Sequence, residues 1–300
     1  MIVDTDIGDD PNDAAALAML ARWPDVEIMG VTTVNDDHGR RAGYARYLLN
    51  TAGRNAVPVF AGADVRGGYF RPKKPYVTET KYWPDDIHPL PGREEDAVAF
   101  LEEGVRRGAL MIGIGPLTNF ALLERRHLGI LSHARLTVMG GWTRADLDCS
   151  KSDYNFQADI TSTQIVLGNS RPILLTLNAA VRTALRLRDV GVLARGSAIE
   201  RLIARQSLLF AEEKNLADVY GGVEGLPPDF VNFHHDELTI AVALGWPHCT
   251  RKHINLQLDE SEGYLLEREH PCGTPVEAIV DVEAERFNDF WLHVMTTGQL

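Results

Sequence analysis

Along the first 180 residues, short apolar runs rich in β-branched residues alternate with longer stretches of helical period. That alternation confines the chain to βαβ units wound around a mainly parallel sheet. Candidate strands run from Met1 to Asp4, Val26 to Val34, Val57 to Phe60, Leu110 to Ile114, Arg135 to Met139 and Pro172 to Leu175. Candidate helices lie between them, from Asp13 to Arg22, Arg40 to Ala52, Glu94 to Arg107, Asn119 to Arg125 and Thr161 to Leu167. Glu27 to Val34, reading EIMGVTTV, approaches the continuous apolar run of a parallel strand covered on both faces.

From Ala184 to Asn215 the composition turns to Leu, Ala and Arg, so this segment is predicted helical. His253 to Leu258, Gly263 to Leu266 and Val276 to Val282 alternate as strands do, and Glu283 to Met295 closes the chain as a helix. The predicted fold class is α/β, an open and mostly parallel sheet flanked by helices. No internal repeat, low-complexity tract or Pro/Ser-rich linker divides the 300 residues, which are read as one domain, residues 1–300.

The 30 Lys+Arg against 42 Asp+Glu give a net charge of −12, which argues against a nucleic-acid partner. No stretch approaches the roughly 20 apolar residues of a membrane span. The opening Met1-Ile2-Val3-Asp4 also lacks the layout of a signal peptide. The expectation is a cytoplasmic protein with no membrane partner. Cys149, Cys249 and Cys272 are odd in number, widely spaced and without metal-ligand spacing, and read as reduced structural thiols. Two stretches, Asp64 to Pro91 and Trp142 to Tyr154, are long and irregular, as functional loops often are. They carry Tyr69, Tyr76, Tyr82, Trp83, Trp142 and Tyr154, which either cover an aromatic ligand or pack locally.

Asp4-Thr5-Asp6-Ile7-Gly8-Asp9-Asp10-Pro11-Asn12-Asp13 places five carboxylates in ten residues, where the first strand ends and a helix begins. In an open α/β sheet that is the crevice where ligands bind. Carboxylates so close raise one another's pKa unless a cation neutralises them. A hard divalent ion with oxygen ligands is the simplest such cation. The plain alternative is that Asp9, Asp10 and Asn12 form a turn and cap the helix; it is weaker for Asp4, Asp6 and Asp13 together. An EF-hand fits poorly, because Gly8 stands where a ligand belongs and the late Glu is missing. A Mg²⁺-dependent phosphohydrolase with Asp4 or Asp6 as nucleophile is the stronger rival. Gly8 stands where that class prefers Thr or Val, and its later Lys and acidic pair find no convincing match.

Three distant segments have residues suited to the same crevice. Ala109 to Asn119, ALMIGIGPLTN, reads as a strand running into a Gly-Pro turn with Pro116 near a first helical turn. Phe233-His234-His235-Asp236-Glu237-Leu238 brings two imidazoles and two carboxylates before an apolar run of helical period, though Asp236 alone would read as an N-cap. Asp153-Tyr154-Asn155-Phe156-Gln157-Ala158-Asp159 interleaves polar and aromatic groups in a way that suits sugar hydroxyls, with capping by Asp159 explaining part of it.

Taken together, VDTDIG, VTTV, VPVFAGA, IGPLTNFAL, VMGGW, SDYNFQAD and HHDELTIAVAL resemble, in order, the inosine/uridine-type nucleoside hydrolases, and VEAERFNDFWL looks like that family's last helix. The resemblance implies an open α/β fold, a Ca²⁺ cofactor at the carboxyl edge of the sheet, and hydrolysis of a ribonucleoside's N-glycosidic bond to free base and ribose. Asp6 matches the metal-bound aspartate regarded as the general base that activates a metal-bound water. Asp13 and Asp236 match the other carboxylate ligands of calcium, and the backbone-carbonyl ligand falls on Ile114. Asp153 and Asn155 match ribose-contacting positions, and Asp37 stands where the family usually has a ribose-contacting Asn. His235 matches an imidazole that protonates the leaving base in some members. The implied partner is a small-molecule nucleoside, and the family precedent is a homo-oligomer, dimer or tetramer.

There are departures. Two extra residues fall between Gly8 and the pair Asn12-Asp13, a register preferred because NDAAAL then matches DDAxAL. It places Asn12 where a ribose-hydroxyl acceptor is usually Asp. KYWPDDIHPLP replaces the family's His-Gly stretch, and Asp153-Tyr154-Asn155 replaces Glu-Phe-Asn. These differences keep open a non-catalytic nucleoside or ribose binder. The chemistry itself requires negative charge beside a developing ribosyl cation, a placed water and help for the leaving base. The unperturbed imidazole pKa of about 6.5 suits His235 to the last task, with plain stacking or hydrogen bonding as the equal alternative.

Overall fold

Strand β1 (Ile2–Thr5) is buried along its whole length and pairs in parallel with β2 (Gly30–Thr33) on one side and β4 (Leu110–Gly113) on the other. The computed structural model describes residues 1–36, 38–65, 82–84, 86–141, 153–220, 225–261 and 263–300. Outward from β2 lies β3 (Val59–Ala61), and beyond β4 follow β5 (Arg135–Met139), β6 (Ile173–Leu175) and β11 (Thr274–Val282), all parallel. Two antiparallel strands, β9 (Cys249–Ser261) and β10 (Tyr264–Glu269), complete a sheet of order β10-β9-β11-β6-β5-β4-β1-β2-β3. The α/β class and the mostly parallel sheet are therefore as the sequence predicts.

Strand order reverses at β1. The chain moves one way through β2 and β3, then returns to build β4, β5 and β6 on the other side. Such a switch point opens a crevice beyond the carboxyl ends of the two central strands. The residues following β1, β2 and β4 line it.

Helices cover both faces of the sheet. One apolar layer takes side chains from α1 (Asn12–Arg22), α2 (Arg40–Thr51), α9 (Ala198–Glu213), α11 (His235–Ala243) and α12 (Ala284–Thr297). The other takes them from α3 (Glu94–Arg106), α4 (Thr118–Arg126) and α6 (Ile160–Asn169). The Ala-rich α1 is buried from Asn12 to Ala21 and packs against α11, so both helices begin at the crevice.

Some elements differ from the sequence reading. The second strand begins only at Gly30, because Asp25 has φ 56° and residues 26–29 run as a connection, although the Met29 amide already bonds to the Met1 carbonyl at 2.8 Å. The span Ala184 to Asn215 is not one helix. Leu185–Arg186 (β7) pairs with Phe230–Asn232 (β8) as a short antiparallel ribbon, then α8 (Leu187–Leu193) precedes α9. A capping box between Ser197 and Glu200 starts α9 afresh after Gly196. Short helices α5 (Tyr154–Ala158), α7 (Leu177–Ala180) and α10 (Leu216–Tyr220) complete the described α-helices.

Candidate active site

Asp4 anchors the floor of the crevice. Its Oδ1 accepts from Thr32 Oγ1 at 2.5 Å and from Asn119 Nδ2 at 2.7 Å, while the buried Oδ2 has no hydrogen-bond partner among the described residues. Asn119 also donates to the Thr33 carbonyl at 2.8 Å and accepts from the Ala63 amide at 2.9 Å. One side chain of α4 thus ties together the ends of β1, β2 and β3. Burial pushes the Asp4 carboxyl up to about 7 against the pull of these two bonds, with Asp6 adding repulsion.

The next residues lead the chain into α1. The Ile7 amide donates to Thr5 Oγ1 at 3.1 Å, and that hydroxyl donates to Asp13 Oδ1 across the turn. Pro11 takes the N-cap position with φ −69° and offers no side-chain acceptor, so Asp10 serves instead, its Oδ1 accepting from the Asn12 amide at 3.1 Å. Asp9 pairs with the buried Arg41 at 2.8 Å, and Asn12 Oδ1 accepts from Asn232 Nδ2 at 3.2 Å. Capping therefore describes Asp10, whereas Asp9 and Asn12 answer to partners far along the chain.

Asp13 and Asp236 stand in the first turns of α1 and α11, where helix dipoles favour negative charge. With Asp6 they form a set of buried carboxylates that repel one another. Asp13 is raised well above the usual carboxylate range by burial and then by Asp6, and Asp236 by burial and then by Asp13, Glu237, Asp6 and Asp10. Asp6 itself is pushed up to about 7 by burial, with Arg41 opposing and Asp9 reinforcing the shift. Oxygen donors of this number and charge suit a hard divalent cation. Among the described residues, no three His, Cys, Asp or Glu side chains already enclose a single ion-sized point.

The Ile114 carbonyl, just past β4, accepts from Asn155 Nδ2 at 3.2 Å, as does the Met139 carbonyl at 3.2 Å. Asn155 thus bridges the ends of β4 and β5 from below. Gly115 follows because a Cβ there would lie 2.7 Å from Asp6 Oδ1. Asp153 caps α5, accepting from the Phe156 amide at 3.0 Å through Oδ1, while its buried Oδ2 has no partner among the described residues. Burial lifts Asp153 to about 6. Asp37 lies outside the described residues, as do Tyr69, Tyr76, Trp142 and Cys149.

His235 opens α11 with its ring 5.4 Å from Phe233, and its buried Nδ1 has no hydrogen-bond partner among the described residues. Burial, then His234, pushes its pKa down to about 4, so the resting imidazole is neutral, unlike the unperturbed group assumed from sequence. Tyr220, Phe230 and Phe233 pack edge on or tilted at 4.6 to 5.7 Å beside it, an aromatic group that the sequence reading did not single out. Of the candidate covering aromatics, Trp83 and Tyr82 are packing residues. The Trp83 indole donates to the Gly8 carbonyl at 2.7 Å and lies 4.8 Å from Tyr44, and Tyr82 lies 5.9 Å from Phe210. Tyr154 stands beside Asp6, Asp9 and Asp13, whose charge adds to burial in raising its phenol pKa.

Two residues escaped the sequence reading. Asn232 bridges Asp10 and Asn12, a contact across more than two hundred residues that leaves no local trace. Arg41 did leave one, since it occupies the same helical face as Tyr44, Ala45 and Leu48, where an arginine needs buried partners.

The sequence pattern described as inosine-uridine preferring nucleoside hydrolase matches residues 1–289. Uridine nucleosidase 1 of Arabidopsis thaliana is 28% identical over 211 residues, covering 66% of this chain and 61% of that one. The chain thus matches about six tenths of the length of such curated relatives. Among solved structures, a plant nucleoside hydrolase superposes with a TM-score of 0.81 at 18% identity, over 99% of this chain and 98% of that one. A purine-preferring ribonucleoside hydrolase from Gardnerella vaginalis gives 0.79 at 18% identity, over 98% and 97% of the two chains. No helix among the described residues is long and apolar enough to cross a membrane. The match across residues 1–289 makes this chain a member of the inosine-uridine preferring nucleoside hydrolase family.

Proposed function

We propose that the protein hydrolyses the N-glycosidic bond of a ribonucleoside, releasing free base and ribose, with calcium as its cofactor. The observation that carries this reading is the set of mutually repelling buried carboxylates Asp6, Asp13 and Asp236 at the switch point of the sheet. Those three side chains and the Ile114 carbonyl would hold the ion. Calcium, when bound, supplies positive charge that keeps the carboxylates ionised and orients sugar hydroxyls and water.

The chain's own residues do the rest. Asp6, ionised, accepts the proton of the attacking water as its oxygen bonds to the ribosyl carbon and the C–N bond breaks. The acidic walls stabilise the positive charge that builds on the sugar. Asp153, through an Oδ2 with no partner among the described residues, and Asn155 are the ribose contacts at the start of α5, and Asn12 and Asp37 are the other assigned ribose contacts. His235 acts as a neutral hydrogen-bond donor to the departing base, because burial disfavours its charged form. Tyr220, Phe230 and Phe233 supply a π surface for that base.

The test is a chromatographic assay for free base and ribose over a panel that includes uridine, inosine and other purine and pyrimidine nucleosides. Release of both products from at least one nucleoside supports the reading, and intact nucleosides throughout contradict it. One observation favours a second reading, a non-catalytic nucleoside or ribose binder. Asn12 offers a neutral amide already engaged by Asn232, where a carboxylate would accept a sugar hydroxyl more strongly. A nucleoside that raises the melting temperature without being cleaved identifies that case. The phosphohydrolase alternative would use Asp4 or Asp6 as nucleophile, and of Asp4 one oxygen, Oδ1, is already committed to Thr32 and Asn119. The same proposal includes one domain over residues 1–300 and a cytoplasmic homo-oligomer.

A further inference from the structure

Arg41 is a guanidinium with 0% of its surface exposed, and its side chain reaches both the acidic loop after β1 and the turn after β2. Nη1 donates to the carbonyl of Asp6 and, at 2.9 Å, to that of Ile7. Nη2 donates to Asp9 Oδ2 at 2.8 Å, and Nε to the Asn35 carbonyl at 2.8 Å. The arginine's own amide donates to Asp36 Oδ1 at 2.9 Å, which fixes the start of α2 from which the side chain projects. The next carbonyl of the loop, that of Gly8, accepts from the Trp83 indole. Three consecutive carbonyls, of Asp6, Ile7 and Gly8, are therefore held by side chains from outside the loop. Gly8 has φ 134°, and a Cβ there would overlap the indole, so the loop and its clasp fit as one unit.

We propose that Arg41 is a positioning residue for Asp6, clasping the Asp6 and Ile7 carbonyls so that the Asp6 carboxylate is held toward Asp13 and Asp236. Asp9, whose side chain is 31% exposed at the rim, fixes the far end of the guanidinium. The planar fork matters as much as the charge. A lysine ammonium has a single nitrogen and cannot reach carbonyls of Asp6, Ile7 and Asn35 together with Asp9. The functional meaning of this clasp rests on the hydrolase reading, but its effect on the carboxylates does not.

The experiment measures calcium affinity by calorimetry, without substrate, for wild type, Arg41→Lys, Arg41→Met and Asp9→Asn, and then kcat and KM on a cleaved nucleoside. Supporting second-layer contacts are typically worth about 10- to 100-fold in metal affinity or activity. Both Arg41 variants should therefore bind calcium at least about tenfold more weakly, with kcat reduced similarly and KM changed by less than about threefold. Lysine should recover no more than about twofold over methionine. Calcium affinity of folded Arg41→Met within about twofold of wild type overturns the proposal, and so does full rescue by lysine. If neither Arg41 variant folds, Asp9→Asn decides, since it removes the charge that fixes one end of the fork and leaves the buried carbonyl contacts. A roughly threefold or larger loss of calcium affinity there supports positioning, and an unchanged affinity overturns it. A wild type that cleaves nothing while the variants lose calcium as described leaves the clasp standing and removes the hydrolase reading. A wild type with neither calcium binding nor turnover overturns both.

Discussion

Asn232 donates its side-chain amide to Asp10 Oδ1 at 2.8 Å, joining the end of β8 to the turn before α1. The same nitrogen reaches Asn12 Oδ1 at 3.2 Å. Two residues of the lengthened acidic turn thus share one donor from the other end of the chain. Asn232→Ala should cost about 1 to 3 kcal/mol, because the part-buried carboxylate of Asp10 loses a hydrogen-bond donor. Urea denaturation measures this, and an unchanged midpoint would show that water replaces the amide at no cost. Asn12→Asp should raise kcat/KM on a cleaved ribonucleoside severalfold if a sugar hydroxyl is accepted there.

Removing one of the repelling carboxylates should have opposite effects with and without metal. In chelated protein Asp236→Asn should raise the melting temperature by a few degrees, since roughly 1 kcal/mol of relief moves a chain of this size by about 2 °C or more. In calcium the same variant should lose most of the calcium-induced stabilisation. Differential scanning fluorimetry in both conditions reads the pair, and a melting temperature that falls equally in both would contradict the electrostatic reading of the cluster.

The raised pKa values also set the sign of the pH dependence. Asp4, Asp6 and Asp10 are pushed from 3.8 to about 7, so the folded chelated protein binds more protons than the unfolded chain between those values. Their contribution is fully present below pH 4 and is lost as pH rises through about 7. His235 acts in the opposite direction, its folded pKa of about 4 lying below 6.5, so it favours folding as pH rises across that interval. Several carboxylates outweigh one imidazole. The chelated protein should melt at a lower temperature at pH 7.5 than at pH 5, and calcium should shrink that difference while releasing protons on binding near pH 6.5.

Gly115 lets the turn after β4 pass against Asp6, with no room for a methyl group 2.7 Å from Asp6 Oδ1. Gly115→Ala should reduce kcat at least about tenfold while the protein still folds, because a displacement near 1 Å at a reacting group costs that much or more. Steady-state kinetics beside a circular dichroism spectrum separates this outcome from simple unfolding, and full activity would show that Asp6 can yield without cost.

The parallel core was legible because β1, β4, β5 and β6 are apolar runs framed by helical period, and that signal is local. β7 and β8 were not, since two or three residues display no period, and the break before α9 was marked only by Gly196 and Ser197. The site was legible in part through its order along the chain. Asp6 and Asp13 follow the first strand, and Asp236 stands in the first turn of a late helix that packs on the first. What sequence could not supply were partners set by long-range packing, such as Asn232 on Asp10 and the clasp of Arg41 on the Asp6 carbonyl. It also left the His235 pKa at its solution value, which burial changes.

The measurement that bears most directly on the central claim is reducing-sugar release from one cleaved nucleoside by wild type and Asp6→Asn, each with calcium and after chelation. The expected result is steady turnover by wild type in calcium, loss of that turnover on chelation, and a fall of roughly a hundredfold or more in Asp6→Asn. Turnover that survives both the substitution and the chelator would contradict it.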